Sequence, residues 1–397
     1  MTEPSAQTRQ GAGSVSETYR GSNGDLDPQG GLATVNDQPP AINKATVNVL
    51  LAQMVKLSAS DLHLSSSIPP SVRLSGELVR LDEFAAFEAR ELREMIYAML
   101  TQRQRERFEE DLELDGSYSV PGIGRFRYNI MQQRGSVGAI FRYIPFQVPP
   151  LESLGLPPVV EKLASIPRGL VLVTGPTGSG KSTTLASILD RINSTRKAHI
   201  VTIEDPIEFL HSHKMSLVNQ REVGADTKGF SNALRHVLRQ DPDIILVGEM
   251  RDLETISSAI TAAETGHYVL ASLHTQDAPQ AIDRMVDVFP SYQQQQIRVQ
   301  LASTIQAIVT QQLLPVAVGS GRKVATEILV ATPAVRNLIR EAKTHQIYSS
   351  MQSGAQYGMC TMDNSLAQLV KSGEISLKTA LTASSNPEEL RRLIGGK

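Results

Sequence analysis

The sequence predicts an α/β protein in which a small α+β domain precedes a larger domain with a mostly parallel sheet and a helical C-terminal part. Short strand signals surround two amphipathic helices before residue 145, and strands alternate with helices from residue 169 onward. A length of 397 residues suits two or three domains. The predicted division is a tail over 1–43, a first domain over 44–145, a linker and domain start over 146–168, a second domain over 169–373 and a C-terminal helical tail over 374–397.

The tail has a composition typical of disordered segments. Residues 1–43 are rich in Gly, Ser, Thr, Gln and Asp, and Tyr19 is their only aromatic residue. Such a segment buries too little apolar surface to offset the entropy that ordering removes. We therefore expect residues 1–43 to be disordered.

The first domain is predicted from a helical apolar face followed by short strands. An apolar stripe at helical spacing over 44–57 predicts the first helix, and a second one over 88–109 predicts another. Strand signals lie at 61–64, 71–74, 78–81, 116–120, 124–132 and 136–144. The prolines of 145–150 then favour a connection between domains, because proline lacks a backbone donor.

The second domain is predicted from strands at 170–173, 199–204, 244–247 and 268–274 with helices between them. That alternation indicates a parallel sheet with helices on both faces. After residue 287 the pattern is predicted to be mainly helical. The expected features are an apolar stripe through Ile297, Leu301, Ile305, Ile308 and Val309, a strand over 324–330, and helices around 333–343, 363–371 and 377–383.

A complete phosphate-binding loop lies between the first of these strands and a helix. Its glycines permit backbone angles that turn N–H groups toward phosphate oxygens, Lys181 reaches the β- and γ-phosphates, and Ser182 supplies a hydroxyl to Mg²⁺. The sequence therefore predicts a site for a nucleoside triphosphate. The predicted binding residues are Gly175, Pro176, Thr177, Gly178, Ser179, Gly180, Lys181, Ser182 and Thr183.

Carboxylates and histidines follow neighbouring strands, where an open α/β sheet has its crevice. Glu249 is the predicted metal-side carboxylate, and either Glu204 or Glu208 is predicted to orient the attacking water; spacing does not choose between them. His267 and His274 flank one strand, whose two ends we expect near the same crevice, where a histidine can sense the γ-phosphate. A structural role for both histidines is the alternative.

The alternating segment 124–130 places Arg125, Arg127 and Asn129 on one strand face, and Arg142 on the next strand can join them. One interpretation is a set of solvated arginines. The other is an arginine that completes the ATP site of a neighbouring subunit, a role that accelerates hydrolysis by about 10³–10⁵ where it occurs.

Together these segments resemble the secretion ATPase superfamily, and specifically the PilT-type retraction ATPases of type IV pili. The likeness runs from about 45 to 373 and includes a Walker A motif at 175–184, an aspartate box at 203–208, a Walker B region at 241–252 and a histidine box at 263–275. It implies a PAS-like N-terminal domain, a RecA-like ATPase domain and a hexameric ring with ATP between subunits. It also implies that Glu208 is the general base and that Arg127 and Arg142 face the neighbouring nucleotide.

Two observations favour the retraction branch. Extension and type II secretion motors typically carry a four-cysteine metal module, whereas Cys360 is the one cysteine here, so we expect no metal cluster. Segments 334–341, 343–347 and 358–363 resemble the C-terminal segment of retraction ATPases. The departures from the pattern are the tail, Val335 and Cys360.

The resemblance therefore implies a Mg²⁺-dependent ATPase, a homohexamer that drives pilin depolymerisation through an inner-membrane platform protein. The single cysteine favours the cytoplasm, and no apolar run reaches the ~18 residues that span a bilayer, so membrane association is expected through partners. The net charge of −2 favours no nucleic-acid partner. The alternatives are a pilus-assembly or type II secretion ATPase, a modulating paralogue, a RecA-like nucleic-acid motor and an ATP-gated scaffold.

Overall fold

The computed structural model describes residues 46–74, 76–144 and 147–395. The predicted tail over 1–43 lies outside these residues, as do residues 145 and 146 of the predicted linker. Across the described ranges, no helix combines the length and apolar character needed to cross a membrane.

The N-terminal sheet has six antiparallel strands in the order β3-β2-β1-β6-β5-β4. Its strands are β1 (Asp61–Leu64), β2 (Ser71–Leu74), β3 (Glu77–Arg80), β4 (Glu113–Val120), β5 (Gly124–Gln133) and β6 (Ser136–Ile144). The helices of this part are α1 (Val47–Lys56), α2 (Ala89–Met99) and α3 (Gln102–Asp111). Their apolar faces and that of the sheet form one buried cluster that includes Leu51, Leu92, Phe126 and Phe141.

The single helix predicted over 88–109 is two helices, so that prediction is wrong in its middle. Helix α2 ends at Met99, and Thr101 starts α3 with a capping box in which its hydroxyl accepts the Gln104 N–H. In turn, the Thr101 N–H donates to the Gln104 side-chain oxygen at 2.9 Å. A threonine followed three residues later by glutamine is a helix-start signal, and it decides the break.

The second sheet has seven strands in the order β13-β12-β7-β11-β10-β8-β9. Six run parallel and β13 runs antiparallel at one edge, which confirms the predicted mostly parallel sheet. The strands are β7 (Gly169–Thr174), β8 (His199–Glu204), β9 (Leu217–Glu222), β10 (Ile244–Val247), β11 (Tyr268–Leu273), β12 (Ile305–Pro315) and β13 (Arg322–Val330).

Helices cover both faces of the seven-stranded sheet, and an apolar cluster lies on each face. The helices are α4 (Pro158–Leu163), α5 (Lys181–Thr195), α6 (Phe230–Val237), α7 (Leu253–Glu264), α8 (Ala278–Asp287), α9 (Ser291–Thr304), α10 (Pro333–Arg340), α11 (Ile347–Ser353), α12 (Met362–Lys371), α13 (Leu377–Ala383) and α14 (Pro387–Ile394). Three short 3₁₀ segments complete the described elements, at Leu151–Leu154, Thr344–Gln346 and Ala355–Tyr357.

The predicted helical stripe that ran through Ile305, Ile308 and Val309 is wrong, because these residues lie in β12 beside β7. Strand β12 is buried on both faces, so it reads as a continuous apolar run without the alternation that marks a half-exposed strand. Strand β9 was not predicted. Its sequence is mostly polar because it forms the other edge of the sheet.

The last helices pack against one another and against β12 and β13 of the sheet, through Leu314 and Ala325. Leu366 on α12, Ala380 on α13 and Leu390 on α14 belong to one buried apolar cluster. The predicted boundary at residue 373 falls inside this cluster, so it divides helices that pack as one group.

Candidate nucleotide-binding site

The phosphate-binding loop leaves the carboxyl end of β7 and enters α5, as its sequence predicts. Gly175, Gly178 and Gly180 have φ angles of 138°, 77° and 89°, a region that side chains rarely adopt. Gly180 is the N-cap of α5, so the loop wraps the positive end of that helix. This is the geometry in which backbone N–H groups and a helix dipole bind an anion.

Lys181 begins α5 and is buried beneath this loop. Its ammonium donates to the carbonyls of Gly175 and Pro176 at 2.9 and 3.0 Å. Burial lowers its pKa, while the nearby carboxylates of Glu249 and Glu208 oppose that shift. These two carbonyls hold the ammonium at the loop. Phosphate oxygens of a bound nucleotide can replace the carbonyls as acceptors of its hydrogen bonds.

A contact from β12 supports the loop from below. The Gln311 amide nitrogen donates to the Ser179 carbonyl at 2.7 Å, and both side chains are buried. A Cβ atom added at Gly180 would lie 3.0 Å from the nitrogen of that same Gln311 amide. The sequence pattern did not single out Gln311, because its strand was predicted as a helix.

Glu249 and His274 follow adjacent parallel strands and therefore meet at the carboxyl edge of the sheet. His274 Nε2 lies 3.3 Å from Glu249 Oε1, and Arg251 contacts both Glu249 oxygens at 2.7 Å. Burial alone raises the pKa of Glu249, but the Arg251 hydrogen bond and the charges of His274, Arg251 and Lys181 outweigh it and lower the net pKa. His274 Nδ1 also lies 3.5 Å from the Thr177 hydroxyl, so it joins the carboxylate to the loop.

Glu204 and Glu208 differ in their surroundings. The carboxylate of Glu204 accepts hydrogen bonds from the Thr202 hydroxyl at 2.6 Å and from the Gln220 amide at 3.1 Å. Burial raises the pKa of Glu204, although these hydrogen bonds oppose the change. Glu208 is exposed on the wall of the cleft described below. Glu204 is therefore engaged with its neighbours, whereas Glu208 is accessible to water.

His267 lies away from this edge, so the expectation that both ends of the strand lie near one crevice is wrong. It precedes the amino end of β11, where Tyr268 pairs with Gly169 at the start of β7. A six-residue strand is about 20 Å long, which separates its two ends by the full depth of the sheet. The His267 ring contacts the Ala262 carbonyl at 2.9 Å, within its own turn.

The two predicted arginines have different environments. Arg127 is exposed and lines the same cleft as Lys181, at the border with the N-terminal sheet. Arg142 donates from Nε to Asp61 at 2.8 Å, and its side chain is 69% exposed. Arg127 therefore lines the same cleft as the nucleotide-binding loop of its own chain, whereas Arg142 is not among the lining residues.

A cleft of about 880 Å³ brings most of these groups together. Phosphate-loop residues form one wall, and the carboxyl ends of β8, β10 and β11 form another. The predicted site residues among its lining are Thr177, Gly178, Lys181, Ser182, Glu204, Glu208, Glu249, His274 and Arg127. An anion-binding loop that faces carboxylates and a histidine is suited to phosphoryl transfer to water.

Comparison with known proteins gives a consistent family. Residues 151–392 match the model of the family described as type II/IV secretion system protein. The type IV pilus retraction ATPase PilT of Pseudomonas aeruginosa is 52% identical over 342 residues, which cover 86% of this chain and 99% of that protein. A twitching motility protein of Neisseria gonorrhoeae is 48% identical over 321 residues, covering 81% of this chain and 86% of the relative.

A solved structure extends the likeness to three dimensions. The crystal structure of the pilus retraction motor PilT with bound ADP superposes with a TM-score of 0.83 at 48% identity. The match covers 88% of this chain and all of that chain.

Proposed function

The chain belongs to the family of type II/IV secretion system proteins, and on that basis we propose that it is an ATPase that drives the retraction of type IV pili. The observation that carries this function is the similarity along nearly the whole length of a retraction ATPase, with the nucleotide-binding loop intact. Hydrolysis in the cleft supplies the energy, and twitching motility is the expected cellular result.

In the proposed reaction, the phosphate-binding loop and Lys181 hold the β- and γ-phosphates of ATP. Glu208 orients and deprotonates the attacking water, because it is exposed to the cleft whereas Glu204 is engaged by Thr202 and Gln220. His274 senses the γ-phosphate, since its ring joins Thr177 of the loop to Glu249. Loss of that phosphate would then change the contacts of this histidine.

The donor set of the cleft fits Mg²⁺, which prefers oxygen ligands and is usually held by one or two carboxylates together with substrate phosphates. The Ser182 hydroxyl and the Glu249 carboxylate line the cleft and would hold the ion. When bound, Mg²⁺ would neutralise negative charge on the transferring phosphoryl group. The lowered pKa of Glu249 keeps this carboxylate ionised at neutral pH, and Mg²⁺ would replace contacts that Arg251 makes with its two oxygens.

We further propose that the N-terminal part is PAS-like, that the seven-stranded part is RecA-like, and that six chains form a ring with ATP between subunits. Arg127 and Arg142 lie on adjacent strands and are exposed, so both are accessible to a neighbouring subunit's nucleotide. His267, at the opposite edge of the sheet, would then act only across a subunit interface. Domain closure around ATP and release after phosphate departure would supply the motor step.

The proposed location is the cytoplasm, with peripheral attachment to the inner membrane through the pilus platform protein. Deleting the gene and comparing surface pili and twitching motility tests the function. Complementation uses the wild-type gene, Glu208→Ala and the matched control Glu161→Ala, in an exposed residue of α4. Retraction predicts many pili without motility, rescued by the wild type and the control but not by Glu208→Ala.

Two other outcomes would contradict this function. Loss of pili would indicate an extension motor, and an unchanged pilus phenotype would indicate a secretion or nucleic-acid motor. Adding single-stranded DNA to the purified ATPase separates those two, because a nucleic-acid motor is stimulated by its track and a pilus motor is not.

A further inference from the structure

An ion pair between the buried carboxylate of Glu222 and the mostly buried guanidinium of Arg125 joins the seven-stranded sheet to the N-terminal sheet beside the cleft. We propose that Glu222 and Arg125 are positioning residues that couple the placement of the N-terminal sheet to the orientation of the segment that carries Glu208. The catalytic consequence rests on the proposed function, whereas the coupling itself is a structural property that can be measured without turnover.

Glu222 ends β9 and is 3% exposed. One carboxylate oxygen accepts the backbone N–H of Ile207 at 3.1 Å, and this residue immediately precedes Glu208. Pro206 and Ile207 are buried, and Glu208 is exposed to the cleft. The carboxylate therefore fixes the backbone at the point from which the Glu208 side chain emerges.

The same carboxylate holds the N-terminal sheet. Arg125 on β5 donates to Glu222 Oε2 at 2.6 Å, and the Ser117 hydroxyl on β4 donates to Oε1 at 2.6 Å. Arg125 also donates to Ser117 at 2.7 Å, which closes a three-membered network. Arg127, two residues along β5 on the same strand face, lines the cleft, so this network joins the backbone segments that carry Arg127 and Glu208 on two walls of the site.

A buried ion pair is a poor source of stability, because desolvation of the two charges offsets most of their attraction. Such pairs are better suited to specifying one arrangement of the parts that they join. Here the arrangement includes a backbone N–H of the Glu208 segment, and charge-assisted hydrogen bonds are short and directional. A shift of β5 that breaks the Arg125 contact would thus release the Ile207 N–H from one fixed orientation.

The coupling can be read directly by fluorescence. The chain contains no tryptophan, so Phe209→Trp places a single reporter next to Glu208 in the cleft wall. In this background, Glu222→Gln is expected to shift the emission to longer wavelength, because the freed segment exposes the indole. Glu254→Gln is the matched control, since it removes an exposed ion pair with Arg235 on α6. Unchanged emission in Glu222→Gln would overturn the proposal.

Kinetics test the catalytic consequence. Glu222→Gln is expected to lower kcat by about 10- to 100-fold through misplacement of Glu208, with KM for ATP unchanged because the phosphate-binding loop is untouched. Arg125→Lys keeps the buried cation and is expected to lie between the wild type and Glu222→Gln. A kcat equal to that of Glu254→Gln would contradict a positioning role.

The double variant Arg125→Met/Glu222→Gln separates positioning from folding. Removing both charges together avoids an unpaired buried charge, so its melting temperature should exceed that of Glu222→Gln alone. Turnover should stay low, because the neutral amide oxygen of Gln can accept the Ile207 N–H only through a weaker hydrogen bond and no longer links it to β5. Recovery of kcat together with stability would show that the pair is merely structural. A wild-type chain without ATPase activity would instead refute the proposed function, while the tryptophan emission would still test the coupling.

Discussion

The support that Gln311 gives to the phosphate-binding loop leads to a sharp prediction. Gln311→Leu keeps the approximate size of the side chain but removes the amide that donates to the Ser179 carbonyl at 2.7 Å. That carbonyl is then left without this donor in a buried position. We expect the loop to leave its phosphate-binding conformation more often and ATP to bind more weakly.

The magnitude follows from the lost hydrogen bond. Leaving a buried carbonyl unpaired costs about 1–3 kcal/mol. If this cost falls entirely on the binding-competent loop, the apparent Kd for ATP rises by about 5- to 140-fold, at about 1.4 kcal/mol for each factor of ten. Loop conformations that do not bind ATP share part of this cost, so a 140-fold rise in Kd is about the upper limit.

Titration of the purified protein with a fluorescent ATP analogue measures this Kd. Gln312→Leu is the matched control, because it makes the same substitution one residue along β12, on the opposite strand face. The reasoning predicts weaker binding in Gln311→Leu and an unchanged Kd in Gln312→Leu. Equal effects in the two variants, or none in either, would refute it.

Three further predictions concern the cleft and the buried carboxylate of β13. Glu208→Gln should retain ATP binding but lower kcat by about 10²–10⁴, the range of general acid–base catalysis, as a turnover assay will measure. Arg127→Ala should lower kcat by up to about 10³–10⁵ if Arg127 completes a site, and mixing it with Glu208→Gln subunits should partly restore hydrolysis only if it acts on a neighbour. Glu327 accepts the Ala278 N–H at 2.8 Å, and burial raises its pKa from 4.5 to about 7. Its contribution to stability, roughly 3 kcal/mol, is therefore complete below pH 4.5 and lost as the pH rises through 7, so Glu327→Gln should flatten the fall in melting temperature between pH 5 and 8.

The sequence predicted the parallel sheet and the place of the phosphate-binding loop because both are local patterns. A strand, a glycine-rich turn and a helix lie within one short segment, so their relation needs no tertiary information. Strand β12 failed for the opposite reason. Its residues Ile305, Ile308 and Val309 are apolar at spacings that suit either element, and only pairing with β7 decides between them.

Parts of the candidate site also depend on contacts between distant segments. Spacing did not choose between Glu204 and Glu208, since the difference between them lies in Gln220 and Thr202, which engage only the former. The Arg125–Glu222 pair joins residues 97 positions apart, and the local sequence around either residue does not indicate the other as its partner. The prediction for His267 is wrong because strand β11 is long enough to separate its two ends, and the length of that strand can be read from the sequence.

Direct observation of single labelled pili tests the central claim, that ATP hydrolysis in this cleft drives retraction. Cells without the gene would carry either the wild-type chain or Glu208→Gln at equal abundance, and the shortening of individual pili would be timed. We predict rapid shortening with the wild type, and pili that extend but do not shorten with Glu208→Gln. Normal shortening in the Glu208→Gln cells, with hydrolysis by the purified variant abolished, would contradict the claim.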